Sequence, residues 1–161
     1  MALAIYDLLG AAIALLPVKD RLRAKEMAGY SLEWVPTVAG AANQKASFTT
    51  DANVDFVSLW ATWYVTDTAS PPVEQLTPQM MVNFAISGGR NWFDKPIHLK
   101  NFCGQQTTAG FPAGFPIWFP RSTTLNGFLT DLANLARNVR ITFHGFVLYD
   151  RDASTNKAGG F

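Results

Sequence analysis

The chain has 161 residues, of which 48% are hydrophobic and only 16% are charged, and its formal net charge is +1. This length suits one domain with a sizeable core, and the balanced charge argues against a nucleic-acid binder, which presents a basic face. Since average chains carry about 25% charged residues, we expect part of the surface to be buried against neighbouring subunits. The single cysteine, Cys103, excludes an internal disulfide and is typical of a chain made in a reducing cytoplasm.

The first 29 residues predict an N-terminal helical arm. Apolar side chains recur there at helical spacing, at Ile5, Leu8, Leu9, Ile13 and Leu16. Pro17 should interrupt the helix, and a second, polar helical piece is expected through Met27 before Gly29. The segment lacks the basic start of a signal peptide and is too short to span a bilayer. Two uses of the arm stay open: it can lie on its own sheet or reach across to a neighbouring subunit.

From Tyr30 onwards the hydrophobic period changes to two, which indicates strands. The longest is expected over residues 56–65, with Val57, Leu59, Ala61, Trp63 and Val65 on one face. Further strands are predicted at 34–38, 46–50, 80–87, 97–102, 116–119 and 139–149. Residues 125–135 have helical spacing, which Asn126 and Gly127 weaken, so this segment is open between helix and strand. About eight candidate strands predict an all-β, jelly-roll-like antiparallel β-sandwich over residues 30–150, followed by a flexible tail over 151–161.

The side chains that could carry chemistry are few and scattered. His98 and His144 are the only imidazole bases, and neither neighbours a nucleophile in a known signature. One cysteine and two distant histidines give no metal-ligand spacing, and the glycines of residues 88–91 lack the phosphate-binding pattern. We therefore expect no enzyme, no cofactor and no metal. A small hydrolase would need a pair of carboxylates that sequence spacing does not reveal.

Exposed aromatic residues offer a function of another class. The rings of Trp60, Tyr64, Trp92 and Trp118 could stack on sugars in a carbohydrate-binding module. The same rings could instead be core or interface residues, which is the commoner use of aromatic residues in strands. The loop with a repeated Gly-Phe-Pro, residues 110–116, could likewise form a rigid contact or cap one end of the sandwich.

The order of short motifs along the chain is informative. These motifs are Ala46–Ala52, Val54–Val57, Gly89–Leu99, Phe102–Gly104, Phe119–Leu125 and Val139–Phe146. In the order of these motifs the chain resembles the small β-sandwich virion proteins of tailed bacteriophages. Those proteins carry an Asp-x-Asp-Phe strand, a Phe-x-x-Pro strand, a Pro-x-x-Ser-Thr-Leu strand and a closing Leu/Phe-His-Gly strand. The resemblance covers about residues 30 to 150 and implies that Thr124–Ala133 is a strand.

The resemblance implies a non-enzymatic structural subunit, made in the cytoplasm of a bacterial host and located in the virion. It would be a capsid cement or decoration protein, or a neck or tail component, with the major capsid protein or neck and tail proteins as partners. We expect a homo-oligomer, with no specific nucleic acid and no membrane partner. The candidate interface residues are Leu8, Leu9, Ile13, Leu16, Phe111, Phe115 and Trp118.

Overall fold

The computed structural model describes residues 10, 13, 14, 16, 18–21, 23, 25–87, 89, 91–105 and 112–149. Its helices are α1 (Val18–Arg21) and α2 (Leu99–Phe102). Its strands are β1 (Lys25–Trp34), β2 (Gln44–Thr49), β3 (Val54–Thr66), β4 (Met80–Ile86), β5 (Ile97–His98), β6 (Gly104–Gln105), β7 (Pro112–Phe119), β8 (Thr124–Asp131) and β9 (Asn138–Tyr149). Neither described helix is long and apolar enough to cross a bilayer.

The strands form two sheets. In the first, the order is β1-β9-β3, and both β7 and the short β6 pair with the other edge of β3; in the second, the order is β2-β8-β4-β5. Apart from β6, which runs parallel to β3, every strand pairs antiparallel. Without β6, β1 pairs with β9, β2 with β8, β3 with β7, and β4 with β5, so that the pairs are nested within one another along the chain. This nested pairing is the strand order of a jelly roll, and the predicted all-β sandwich is confirmed.

The core lies between the two sheets and is rich in phenylalanine. The ring of Phe143 on β9 is fully buried, and its centroid is 5.7 Å from that of Phe48, 5.8 Å from that of Phe84 and 5.9 Å from that of Phe119. Edge-to-face pairs of this kind add to the stabilisation from burial alone. Strands from both sheets contribute these rings, so the cluster joins the two layers.

A β-bulge in β3 corrects the predicted faces of the longest strand. Between Ser58 and Trp60 the register with β9 shifts by one residue, so Leu59 has no partner across the ladder. Phe56 before the bulge and Ala61 after it therefore both face the core, together with Trp63 and Val65. Val57, Leu59 and Trp60 belong to a separate apolar cluster on the outer face of the sheet. The predicted single face of Val57, Leu59, Ala61, Trp63 and Val65 was wrong because it assumed unbroken alternation.

The helical arm predicted for residues 1–29 is not supported as a continuous element. Residues 1–9 lie outside the described residues, and helical backbone in the described part of this segment is confined to Gly10, Ile13, Ala14 and the four residues of α1. Lys25–Gly29 belong to β1, which pairs with β9 along its whole length. The residues Lys25 to Ala28 are good or acceptable helix formers, but pairing in a sheet overrides such local propensity. The sandwich thus begins at Lys25 rather than Tyr30.

The segment left open between helix and strand is β8, Thr124–Asp131, as the resemblance implied. Its side chains alternate between half-buried and buried along the whole strand. Gly127 sits in its centre, where a Cβ atom would lie 2.6 Å from Leu32 Cδ1 and 3.0 Å from Trp34 Cη2 on the facing sheet. The side chains of β1 therefore fill the space beside this residue. The tail over 151–161 lies outside the described residues.

A buried ion cluster fixes the entrance to β1. The Arg23 guanidinium lies 2.5 Å from Asp55 Oδ2 on β3, and it also contacts Asp20 Oδ1 at 3.3 Å. It donates further hydrogen bonds to the carbonyl oxygens of Leu148, at 2.6 Å, and Tyr149, at 2.9 Å. This one side chain thereby ties the segment before β1 to the start of β3 and the end of β9. The pairing compensates the burial of its charge.

Candidate interaction surface

Three loops meet at one end of the sandwich, which we call the loop end. They are residues 35–43 between β1 and β2, 67–79 between β3 and β4, and 132–137 between β8 and β9. Strands β1 and β3 both end beside the start of β9, and β8 ends beside the start of β4. The antiparallel register therefore places all three loops on the same side of the molecule.

The loop end carries most of the exposed apolar side chains of the described residues. Eight large hydrophobic residues are exposed in that part of the chain, and six of them are in these loops: Val35, Val38, Val73, Leu76, Leu132 and Leu135. These six are between 51% and 64% exposed. The other two are Val18 in α1 and Met27 in β1. Single exposed apolar residues need no explanation, but a group of six on adjoining loops is typical of an interaction site.

Hydrogen bonds hold these loops to each other and to the strands. The backbone N–H of Thr37 donates to the Arg137 carbonyl at 2.7 Å, and the Arg137 N–H donates to Thr37 Oγ1 at 2.8 Å. The third loop is tied to the second by the Leu132 N–H, which donates to the Gln79 carbonyl at 2.8 Å. Since the backbone is already fixed, little conformational entropy would be lost when a partner binds there.

The loop end is also poor in charge. Residues 35–43 and 132–136 contain no ionisable side chain at all. Beneath them, Arg137 Nε lies 3.4 Å from Asp131 Oδ2, and both side chains are at least nine-tenths buried. That oxygen accepts no hydrogen bond, so the contact is ionic; Asp131 Oδ1 accepts one from the Ala133 N–H at 2.7 Å. The charges of Asp131 and Arg137 are thus directed inwards, away from the exposed apolar surface.

A shallow cavity adjoins the loop end on the outer face of the first sheet. Its volume is about 180 Å³, and it is lined by Val35, Tyr64, Asn138, Val139 and Arg140. At its edge, Arg140 Nε lies 2.7 Å from Glu33 Oε1 in a half-exposed ion pair. The apolar surface therefore continues from the loops onto the sheet and ends at an ion pair.

The structure brings three of the predicted interface residues together, but on the outer face of the first sheet. Leu16 is buried there, and Ile13 and Trp118 are half-buried against the same cluster, which includes Phe146 and Leu148. These side chains thus cover the chain's own sheet. Of the others, Leu8, Leu9 and Phe111 lie outside the described residues, and Phe115 is described only as backbone in β7. Sequence reasoning missed the loop end, although the uncharged runs at 35–43 and 132–136 were a visible signal.

The tryptophans proposed for sugar stacking contact their own domain. The Trp60 ring stacks on the His144 ring with 5.5 Å between centroids and 15° between planes. Trp92 packs against Phe84 at 5.4 Å and Phe119 at 5.9 Å, and Trp118 packs on the outer apolar cluster. Each ring therefore has a packing role in the fold, which weakens the case for a stacking platform.

The two histidines lie on different sheets of the sandwich. His144 Nε2 is 2.8 Å from Thr62 Oγ1 on the outer face of the first sheet, and burial lowers the pKa of its imidazole. His98 Nε2 is 3.5 Å from Gln79 Oε1 at the edge of the second sheet. Within the described ranges, no group of three or more His, Cys, Asp or Glu side chains could hold a metal ion.

Comparisons with known proteins give little further information. No family model matches the chain, and no curated protein matches it. Among solved structures, the chain is similar to one in the cryo-EM structure of the virus-like particle of the giant freshwater prawn Macrobrachium rosenbergii extra small virus. The two are 10% identical, with 85% of this chain and 86% of that chain covered and a TM-score of 0.32. A likeness this loose carries no argument about function.

Proposed function

We propose that the chain is a non-enzymatic structural subunit of a virion, specifically a cement or decoration protein on the capsid of a tailed bacteriophage. The loop end carries this proposal, because it is an apolar contact surface that is poor in charge and held by hydrogen bonds. The motif order of the sequence and the jelly-roll strand order, which is frequent among viral capsid proteins, both support it. Since the jelly roll is also the fold of lectins and cupins, the loop end is stronger support for this function than the fold is.

The binding free energy that the loop end can supply suits a protein that attaches to a capsid lattice. Full burial of a Val or Leu side chain contributes roughly 1.5–3 kcal/mol. Six side chains that are about half exposed would contribute on the order of 5–9 kcal/mol in total. Association costs roughly 4–15 kcal/mol in lost freedom, so one such contact is weak alone. A subunit that is held at several points of a capsid gains the rest through avidity.

The test is to look for the protein in purified particles and then to change the loop end. Particles from cells that carry the gene are purified by density gradient and examined by mass spectrometry and immunogold labelling. Labelling over the capsid surface supports the decoration role, whereas labelling at the neck or tail supports the alternative of a neck or tail component. Absence of the protein from purified particles would refute the virion assignment.

A paired variant tests whether the loop end makes the attachment. The Leu132→Asp/Leu135→Asp double variant should no longer co-sediment with capsids that lack the native protein. Val18→Asp is the matched control, because Val18 is 73% exposed but lies outside the loop end. Equal binding of both variants would show that the loop end is not the contact.

A host-facing carbohydrate-binding module is the second candidate, and a groove favours it. On the second sheet, Asn43, Asn83, Asn91, Pro96 and Phe128 line a cavity of about 260 Å³. Amide groups beside a half-exposed ring can bind sugar hydroxyls and a sugar face. A glycan array decides: binding that Phe128→Ala abolishes supports the module, and an array without signal contradicts it.

A further inference from the structure

A basic side chain lies beside the groove on the outer face of the second sheet. Lys45 on β2 pairs with Phe128 on β8, and Phe128 pairs with Asn83 on β4, so the three side chains form one row across the sheet. Phe128 and Asn83 line the cavity of about 260 Å³. Directly opposite residues of antiparallel strands have Cβ atoms roughly 4.5–5.5 Å apart, so the long side chain of Lys45 reaches the rim of the groove.

The charge of Lys45 is not neutralised by a neighbouring carboxylate. Lys45 is exposed, and its ammonium group makes no ion pair or hydrogen bond within the described residues. The four strands of the second sheet contain one acidic residue, Asp131, which is buried and paired with Arg137. In the loop between β4 and β5, the sequence of residues 87–96 has two basic residues and one acidic residue. The groove should therefore attract an anionic group.

The walls of the groove are held in place, while some of their polar groups remain available. Asn83 Nδ2 donates to the Phe93 carbonyl at 3.1 Å and ties the loop to the sheet. The backbone N–H of Asn43 donates to Thr130 Oγ1 at 2.9 Å. In the part of the chain that the structure describes, the side-chain amides of Asn43 and Asn91 bond to no other protein group. Each amide offers two donors and an acceptor to a ligand.

The size and lining of the groove suit one ring of a polar ligand. Sites that hold a whole drug-sized molecule measure roughly 300–1,000 Å³, and this cavity is smaller. The half-buried ring of Phe128 supplies an apolar face, and the amides can bond to hydroxyl groups. A sugar ring has both an apolar face and a rim of hydroxyls.

We infer that the groove binds an acidic sugar, one that carries a carboxylate. The sugar ring packs on Phe128, its hydroxyls bond to Asn43 and Asn91, and its carboxylate pairs with Lys45. This inference rests on the carbohydrate-binding function given above as the second candidate, and it names the class of sugar. The loop end plays no part in it, so a subunit that is attached to a capsid can also bind the sugar.

NMR titration of the full chain with two matched pairs of oligosaccharides tests the inference. One pair is 3′-sialyllactose and lactose, and the other is trigalacturonic acid and its neutral methyl ester. The acidic member of at least one pair should bind about 2–5-fold more tightly than its neutral partner, which is the range for an exposed ion pair. The pair that shows this preference distinguishes a sialic acid from a uronic acid. The preference should disappear in about 1 M salt, where charges are screened beyond roughly 3 Å.

Three variants assign the contacts. Lys45→Gln should remove the preference and leave the affinity for the neutral sugar unchanged, whereas Asn91→Ala should weaken the binding of both members of a pair. Lys100→Gln is the matched control, because Lys100 is also exposed but does not line the groove. A preference that survives in Lys45→Gln, or that is lost in Lys100→Gln, would overturn the inference. The melting temperature of each variant establishes that it is folded.

The result is separable from the outcomes of both proposed functions. If the acidic and neutral members of each pair bind equally and Asn91→Ala weakens both, the inference fails and the carbohydrate-binding function stands. If no member binds, both fail. Presence of the protein in purified particles decides the virion function independently, since the groove variants leave the loop end unchanged.

Discussion

Replacement of Gly145 by alanine should strongly destabilise the sandwich. Gly145 is on β9 opposite Ser58, directly beside the β3 bulge. A Cβ atom at this position would overlap the Val57 carbonyl oxygen, and it would lie 2.8 Å from the Val57 carbonyl carbon and 2.9 Å from Ser58 Cα. All three atoms are backbone, so no side chain can rotate away to make room. Either β3 or β9 must shift in the centre of the first sheet.

The expected cost follows from these contacts. Overpacking a filled interior typically costs about 1–3 kcal/mol, and occasionally more. We expect the upper part of this range because the obstacle is backbone on a strand paired along both edges. Alanine also restricts the unfolded chain, which offsets about 0.4–1 kcal/mol. The net loss in the free energy of unfolding should be about 2 kcal/mol, or roughly 4–8 °C in Tm for a chain of this size.

Gly29→Ala is the matched control within the same sheet. Gly29 pairs with His144 on β9, and its added Cβ would meet the Phe143 carbonyl oxygen at 3.5 Å and Thr142 Cγ2 at 3.6 Å, which are ordinary contacts. We expect this variant to remain within about 1 kcal/mol of the wild type. Urea denaturation and thermal melting of the three proteins give the comparison. A Gly145→Ala protein as stable as Gly29→Ala would refute the argument from close backbone approach.

Three further outcomes are expected. Arg23→Gln leaves buried carboxylates without their partner and should lower the free energy of unfolding by about 3 kcal/mol in urea denaturation. Arg140→Gln breaks a half-exposed ion pair and should lower it by at most about 1 kcal/mol. Equal losses in the two variants would contradict the difference in burial. Burial lowers the pKa of His144 below its ordinary 6.5, so the unfolded state binds more protons than the folded state. The free energy of unfolding should therefore fall as the pH drops from 6.5 towards the folded-state pKa. His144→Gln should flatten this fall, and an unchanged slope would disprove the role of His144. The Cys103 thiol is buried, which raises its pKa, so it should react with a thiol reagent only after unfolding; rapid reaction of the native protein would count against that burial.

The sequence by itself determined the all-β class, because a period of two is a local property of each strand. Alternation at Met80–Ile86 and Asn138–Tyr149 marked strands with one core face, and the turn signals between segments favoured a sandwich. For Thr124–Asp131 the spacing was ambiguous, since apolar residues there also fit a helix, and the resemblance to phage virion proteins decided correctly for a strand. Cys103, as a single cysteine, also excluded an internal disulfide without any structure.

Only the tertiary structure decided which side chains face the core along β3. The bulge at Leu59 depends on the pairing of β3 with β9, two strands that are far apart in the chain. No local sequence pattern could therefore predict it. The same holds for Lys25–Gly29, which became part of a strand because a long partner lay beside them.

The loop end is the clearest case of a feature that only the fold assembles. Each of its three loops contributes two exposed apolar residues, which is unremarkable for one loop alone. Long-range strand pairing brings residues 35–43, 67–79 and 132–137 to one end, and the Thr37–Arg137 hydrogen bonds connect the first of these loops to the last. The amino-acid sequence shows which side chains are apolar. That they are exposed together on one surface depends on contacts between segments about a hundred residues apart, which only the folded chain provides.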